Sequence, residues 1–309
     1  MNNIKILELL NQKQTKMNEL EKLVYGSIEI REKDNKKYIY THTKEDGLQN
    51  TKYIGEYNDE LYNLILSNNI KAKEIKKEIR RIEKELKELD YIDEELNNNV
   101  ALNIDFAKRH LADTIYKQAI LEGVATTLSD TENIIEGGIV NNMSTEDIMK
   151  IVNLKHAWEF ILNKSVITSP TNFTLLSTIN KLIEEGFYYN AGVLRSTPVK
   201  IGGTTWTPEL PIEIDVKNDI ENIINQKESE INISIDLLLY VTKKQMFIDG
   251  NKRTSLIFAN HYLISKGKGL IVIPIEEVNE YKKLLIEYYE NNNKNKITKF
   301  IKDKCYISL

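Results

Sequence analysis

The sequence predicts a mainly α-helical protein that carries a small α+β module at its N-terminus. Apolar residues recur at spacings of three and four through most of residues 99–303. Strict alternation with period two is confined to short runs, most of them before residue 55. These two periods separate amphipathic helices from half-buried strands. Only five prolines interrupt the chain, so long helices can run unbroken.

Residues 4–25 place Ile4, Ile6, Leu9, Leu10, Leu20 and Leu23 at helical spacing. The period then changes. Ser27 to Arg31 and Lys37 to Thr41 alternate apolar and polar residues around the turn-forming Lys33-Asp34-Asn35-Lys36, and Thr51 to Ile54 follows Asp46-Gly47. This predicts a three-stranded antiparallel meander. Its tyrosines, Tyr38, Tyr40 and Tyr53, suit a half-buried sheet face; the same spacing serves base stacking. Ile75, Ile79, Ile82, Leu86 and Leu89 then form a heptad seam on a helix otherwise made of Lys, Arg and Glu. Two arrangements bury such a seam: a coiled coil between two copies of the chain, or an antiparallel hairpin within one copy. Asp90-Tyr91-Ile92-Asp93 breaks the pattern, so an N-terminal module is expected over 1–95 and a second domain over 96–309.

In the second domain, a long amphipathic helix is expected over Ala101 to Leu128. Ser144-Thr145-Glu146-Asp147 resembles a capping box ahead of Ile148 to Ile161. Asn172 to Glu185 is a further helix, ended by Gly186. The helical pattern stops between Gly192 and Pro211, where Val199 to Trp206 reads as two short strands around Gly202-Gly203. Helices follow over 215–226 and 233–244, then one to about Ser265, a strand Leu270 to Ile273, and helices over 277–290 and 296–303. Asn291 to Asn295 is expected as a surface loop.

Charged residues make up 28% of the chain, yet the net charge is only −4, so a global attraction to nucleic acid or to an anionic membrane surface is not indicated. The basic run Lys71 to Lys77 sits among glutamates and reads as a solvated helix face. A single cysteine, Cys305, rules out an intramolecular disulfide framework and a cysteine-built zinc site, and suits a cytoplasmic setting. No stretch approaches the roughly 18 apolar residues that span a bilayer, and the N-terminus carries no signal-peptide core.

The candidate site is Gln245-Met246-Phe247-Ile248-Asp249-Gly250-Asn251-Lys252-Arg253, between two helical patterns. Gly250 permits close backbone approach, and Asn251 suits a helix N-cap. The free N–H groups of the next turn and the helix dipole favour an anion there. Lys252 and Arg253 add two cations. Asp249 supplies a carboxylate suited to Mg²⁺ shared with phosphates, and Phe247 is placed to anchor the loop. An ordinary capped helix start with an Asp–Arg surface pair is the alternative.

The segment resembles the Fic/Doc motif His-x-Phe-x-(Asp/Glu)-(Gly/Ala)-Asn-(Gly/Lys)-Arg. Phe247, Asp249, Gly250, Asn251, Lys252 and Arg253 match it position by position. The resemblance extends over roughly residues 100–305. Gly192-Val193-Leu194-Arg195 looks like the Gly-x-x-Arg before the family's flap, and Leu270 to Pro274 like the strand after the motif helix. The resemblance implies a Fic-type helical bundle that uses ATP or another nucleotide, with Mg²⁺ on Asp249, to modify a hydroxyl of a protein target. That target would dock on a β-hairpin flap carrying Val199, Lys200, Ile201 and Trp206. It places catalytic roles on positions 245, 249 and 253, and nucleotide contacts on Phe247, Gly250, Asn251, Lys252 and Arg253.

Three departures narrow this. Gln245 stands at the histidine position, and a neutral amide cannot accept a proton near neutral pH. Loss of a general base typically costs ~10²–10⁴-fold. Lys252 stands where AMP-transferring members carry glycine and resembles the Doc branch, which transfers a phosphoryl group. Leu256 replaces a second arginine found in many members. The remaining histidines are His42, His110, His156 and His261, and none aligns with position 245. Glu122-Gly123, followed by Thr126 and Thr127, resembles the family's inhibitory motif, with Gln118 at its Ser/Thr position. The resemblance implies that Glu122 pairs with Arg253 and blocks the terminal phosphate; a surface glutamate ending a helix is the alternative. Trp158 reads as core, and Trp206 as either a packing residue or a target contact. An impaired protein that binds nucleotide without transferring it remains the alternative function, and the heptad seam permits a homodimer.

Overall fold

A computed structural model of the chain describes residues 2–33, 36–45, 48–89, 96–141 and 143–309. The centres of the two expected meander turns, Asp34-Asn35 and Asp46-Gly47, and the expected break at Asp90 to Asp93 lie outside the described residues. The chain separates into two compact units, Met1–Ile92 and Asp93–Leu309.

The first unit contains α1 (Asn2–Glu21), strands β1 (Ser27–Lys33), β2 (Lys36–Glu45) and β3 (Leu48–Glu56), and α2 (Asp59–Glu88). The strands form an antiparallel meander in the order β1-β2-β3, with Ile30 opposite Ile39 and Tyr40 opposite Tyr53. Alternation buries Ile39 and Thr41 and sends the tyrosines to the other face. There Tyr53 packs on Tyr38 and Tyr40, at centroid distances of 6.2 and 5.4 Å, and the Arg31 guanidinium lies 4.4 Å above Tyr40.

α2 begins sixteen residues before the heptad seam, where the Asn58 side chain accepts the Leu61 N–H. The helix α1 runs antiparallel against it. Ile82 and Leu86 are buried, and Lys13–Glu83 (3.0 Å) and Lys16–Glu78 (3.1 Å) flank the contact. The seam is therefore covered within the chain.

The second unit is helical: α3 (Asn98–Arg109), α4 (Leu111–Leu121), α5 (Leu128–Ile135), α6 (Thr145–Ile161), α7 (Lys164–Ile167), α8 (Phe173–Ile183), α9 (Glu213–Ile224), α10 (Glu230–Lys244), α11 (Asn251–Ser265), α12 (Val278–Asn291) and α13 (Asn295–Phe300). A two-residue pair of strands, β4 (Leu270–Ile271) and β5 (Tyr306–Ile307), closes it. α11 is buried on every side, as expected of a helix at the centre of a bundle. It is packed by α10, α8, α6 and α3.

Several expectations are corrected. The single helix expected over 101–128 is two helices, α3 and α4, followed by a loop that leads into α5 at Leu128. His110 ends α3, and its Nδ1 lies 2.8 Å from the Phe106 carbonyl oxygen, where a side chain competes for a helical acceptor. The Gly123 turn ends α4. Ser144 does cap α6, its hydroxyl accepting the Asp147 N–H at 3.0 Å. Residues 199–206 form no strand ladder: Gly202-Gly203 turn, but the flanking residues are irregular.

Candidate functional site

The chain enters the site from the C-terminus of α10. Gln245 sits there in the left-handed region, at φ 48°, which is strained for a residue with a Cβ. Two side-chain contacts hold it. Its side-chain Nε2 donates to Thr242 O at 2.6 Å, and Arg195 Nε donates to its backbone carbonyl at 2.6 Å. The amide is thus folded back on its own helix. Met246 and Phe247 are buried and pin the loop to the core.

Gly250, at φ 73°, caps α11, and Asn251 is already the first helical residue. This corrects the expected N-cap. The Asn251 side chain instead reaches back: Oδ1 accepts the Phe247 N–H at 2.9 Å and Nδ2 donates to Phe247 O at 2.8 Å. This clamp closes the loop and leaves the first turn of α11 free of a side-chain cap.

Arg253 is the centre of the site. It is only 4% exposed, and three carboxylates from three parts of the chain converge on it. Glu184, one residue beyond α8, lies 2.7 Å from Nη2; Asp249 lies 3.7 Å from the same nitrogen; Glu122, ending α4, lies 3.8 Å from Nε. Glu122 also lies 3.3 Å from Lys252 Nζ. These contacts are close but poorly aimed. Arg253 Nε and Nη1, Glu122 Oε1 and Glu184 Oε1 are all buried without a hydrogen-bond partner. Burial pushes the Glu184 carboxyl up to about 7; the Arg253 charge opposes this, while Asp249 and Glu122 add to it.

Sequence reasoning brought together Glu122, Asp249, Lys252 and Arg253, and the structure places them in contact. It missed Glu184 and Asn180. Asn180 holds the loop from behind: Nδ2 donates to Asp249 O (3.0 Å) and lies 3.1 Å from Thr254 Oγ1, while Oδ1 accepts the Gly192 N–H (2.9 Å). The signal was helical spacing. Leu176, Asn180 and Glu184 fall four apart, on the face of α8 that Leu176 marks as buried.

Gln118 and Trp158 tie the end of α4 to the motif helix. Trp158, fully buried as expected, donates to Gln118 Oε1 at 2.9 Å, and Gln118 Nε2 donates to Arg253 O at 3.0 Å. The end of α4 is thereby tied to α11, one helical turn before Glu122.

Arg195 organises the segment expected as a flap, in place of strand pairing. Its guanidinium donates to the carbonyls of Thr197 (2.9 Å), Pro208 (3.2 Å) and Glu209 (2.7 Å), closing the 197–208 loop at its base. Its N–H donates to Met246 O at 2.9 Å, so flap and motif share one anchor. Within the flap Lys200 is exposed, whereas Val199, Ile201 and Trp206 are half-buried. Ile201 and Trp206 pack against the helical core, with Lys243 Nζ 4.7 Å from the Trp206 ring. His261 is fully buried between Thr171 and the Val166 carbonyl; burial holds its pKa down to about 4. It packs the core and does not reach the motif loop. Leu256, at the second-arginine position, is buried in the hydrophobic core.

The residues fit a phosphate group, because two buried guanidinium N–H groups lack acceptors beside an uncapped helix start. Mg²⁺ would rest on Asp249 alone. One of its oxygens accepts the Gly250 N–H at 2.7 Å, and the side chain is 56% exposed. A single exposed carboxylate suits an ion shared with ligand phosphates; among the described residues no cluster of three His, Cys, Asp or Glu could hold a metal by itself.

A helical bundle with a buried arginine and converging carboxylates at the start of its central helix describes a class. The family follows from comparison. Residues 170–263 match the model of the Fic/DOC family. Protein adenylyltransferase fic-1 of Caenorhabditis elegans is 23% identical over 180 residues, covering 54% of this chain and 34% of the relative. The chain thus spans about a third of that relative's length. Among solved structures, a fragment of Fic-1 from C. elegans superposes with a TM-score of 0.56 at 16% identity, covering 79% of this chain and 78% of that one. A Fic-domain-containing signaling protein from Bacteroides thetaiotaomicron gives 0.53 at 17% identity, covering 68% and 86%. A Fic family protein from Desulfovibrio desulfuricans gives 0.51 at 15% identity, covering 68% and 72%. At such identities the likeness is one of fold. Residues 170–263 are a Fic/DOC family domain, set in a mainly helical fold shared with these structures.

Proposed function

We propose that this protein binds the phosphates of ATP, or of a related nucleotide, at Arg253 and the start of α11, and uses it weakly to modify a hydroxyl of a protein target. Glu122 holds the site restrained. One observation carries the reading: the buried Arg253 guanidinium keeps two N–H groups without acceptors while Glu122 lies against it and Lys252. That is an arginine built to take an oxyanion, facing a carboxylate that stands in for one. Phe247 anchors the loop, Gly250 and Asn251 shape it, and Asp249 would hold Mg²⁺, which offsets phosphate charge.

In AMP transfer the target oxygen bonds to the α-phosphorus and pyrophosphate leaves; in phosphoryl transfer it bonds to the γ-phosphorus and ADP leaves. Either step releases the hydroxyl proton. Gln245 cannot take it, and its amide is turned onto Thr242. Lys252 at the helix start favours the phosphoryl route. The flap at Val199, Lys200, Ile201 and Trp206 presents the target, and the first unit recruits it or supports a dimer. A role in nucleotide binding alone is the second reading, favoured by the same Gln245 geometry.

The test incubates Glu122→Gly protein with a candidate target and saturating ATP labelled at the α or γ phosphate, with and without Gln245→His. Label from α marks AMP transfer and label from γ marks phosphoryl transfer. Incorporation that rises with Gln245→His supports the enzyme reading. Silence from both, with a thermal shift on ATP, leaves the binding role; silence without a shift shows that losing Glu122 alone does not expose a nucleotide site.

A further inference from the structure

Glu184 has no part in the chemistry above, yet it makes the shortest contact to Arg253, 2.7 Å from Nη2. Building on the reading of Arg253 as a phosphate ligand, we propose that Glu184 is a second anion-excluding carboxylate, so that removing Glu122 alone does not open the cradle.

The two glutamates approach Arg253 from different helices and differ in freedom. Glu122 ends α4 and precedes Gly123, where an added Cβ would meet nothing within 4 Å. It is 14% exposed and can swing away with the turn. Glu184 has no such exit. It is 2% exposed, and its Oε1 lies so close to Gly250 that a Cβ there would overlap it. Asn180, one turn earlier on α8, ties the same loop from behind.

The charges decide the consequence. Glu122, Glu184 and Asp249 face Arg253 and Lys252, three carboxylates against two cations. Lys150 of α6 adds a cation near Glu184, and Tyr188 faces it from the following turn. Swinging Glu122 out leaves two carboxylates against the two motif cations. Above the raised Glu184 pKa, an incoming phosphate then meets motif charges that cancel, with one buried, immovable carboxylate among them. Removing the Glu184 charge leaves the guanidinium uncompensated at Nη2, next to Nε and Nη1, which already lack acceptors, and an oxyanion needs such a group. The poor aim of the Glu184 contact fits this: Oε1 is close to Nη2 but accepts no hydrogen bond, so it offsets charge more than it orients the arginine.

The experiment measures calorimetric affinity of the full chain for inorganic phosphate and for ATP. The variants are Glu122→Gly, Glu184→Gln, Glu184→Leu, Glu184→Asp and the pair Glu122→Gly/Glu184→Gln. Both neutral substitutions are expected to tighten binding by about tenfold to a hundredfold. Glu184→Asp, which keeps the charge, stays as weak as the parent, and Glu122→Gly alone gains little. The pair binds tightest, and Arg253→Ala in that background loses the gain. If Glu122→Gly alone binds as tightly as the pair, the proposal falls while the phosphate cradle stands. If the neutral variants bind more weakly than the parent, Glu184 supports the arginine and the proposal is likewise overturned. If the folded pair binds neither phosphate nor ATP, the cradle itself is refuted.

Discussion

Replacing Gly250 with alanine tests the geometry of the cradle without touching a charge. Gly250 holds φ 73° at the start of α11, and a Cβ there would overlap Glu184 Oε1 and lie 3.1 Å from both Asn180 Nδ2 and Glu184 Cδ. The left-handed conformation costs an L-residue about 1–2 kcal/mol. Overpacking a filled interior adds about 1–3 kcal/mol. Glu184 cannot relieve the overlap cheaply, because moving it breaks its contact with Arg253. Together these give a loss of about 2–5 kcal/mol. For a unit of 150–250 residues each kcal/mol shifts Tm by about 2–4 °C, so the expected fall is about 4–20 °C. Gly202→Ala in the flap is the control, since nothing lies within 4 Å of its Cβ position; its effect should stay within about 0.5 kcal/mol. Differential scanning calorimetry reads both. A Gly250→Ala melt within about 1 °C of the parent would refute the tight seating of Glu184 against the loop.

Asn251→Ala removes both arms of the Phe247 clamp and leaves a buried N–H and C=O unpaired. At about 1–3 kcal/mol each, the loss in urea unfolding should reach about 2–6 kcal/mol; a loss below about 1 kcal/mol shows that water replaces the side chain. Arg195→Ala unties the flap from Thr197, Pro208 and Glu209, so limited proteolysis should cut within 196–209 much faster than in the parent, and an unchanged pattern contradicts the anchoring role. His261 gives a pH signature. Its folded pKa, about 4, lies below the unfolded value of about 6.5. The unfolded state therefore binds more protons in that window, and the stability His261 contributes is fully present above about pH 6.5 and lost as pH falls to about 4. The total is about 3 kcal/mol. Unfolding curves of the parent and of His261→Gln across this range should show the steeper acid loss in the parent, and parallel slopes would exclude the assignment.

What could be read from the sequence depended on whether an interaction was local. The motif loop is contiguous, so Phe247 to Arg253 announced itself, and Glu122 followed from a motif of its own. The helix–strand–helix order of the first unit was legible because its periods differ. The break at His110 carried no proline or glycine; it depends on the imidazole meeting the Phe106 carbonyl oxygen. The flap was read as a hairpin because Gly-Gly turns close hairpins, whereas here buried Arg195 supplies the closure through carbonyls at both ends. Glu184 was overlooked beside Glu185. Only the face of α8 distinguishes them: Glu184 turns inward and Glu185 outward.

The distribution of unmet polar groups separates binding from chemistry. Four of the eight buried side-chain atoms without a hydrogen-bond partner among the described residues belong to Arg253, Glu122 and Glu184. Native proteins satisfy nearly all such atoms, so a cluster marks a place where folding has been made to tolerate frustration. Each such atom is a donor or an acceptor that a ligand, or its removal, can satisfy. Around Gln245 the opposite holds: its backbone N–H, carbonyl and side-chain amide all have partners within the protein. The groups around Arg253 are thus poised to rearrange, while position 245 is settled into the fold. Restoring a histidine at 245 must therefore do more than supply a basic nitrogen. The new ring has to leave the place where the amide now meets Thr242, and Arg195 must still hold the left-handed backbone beneath it. A Gln245→His protein that titrates a new group near neutrality yet transfers no label would show that this orientation, and not basicity, limits the site.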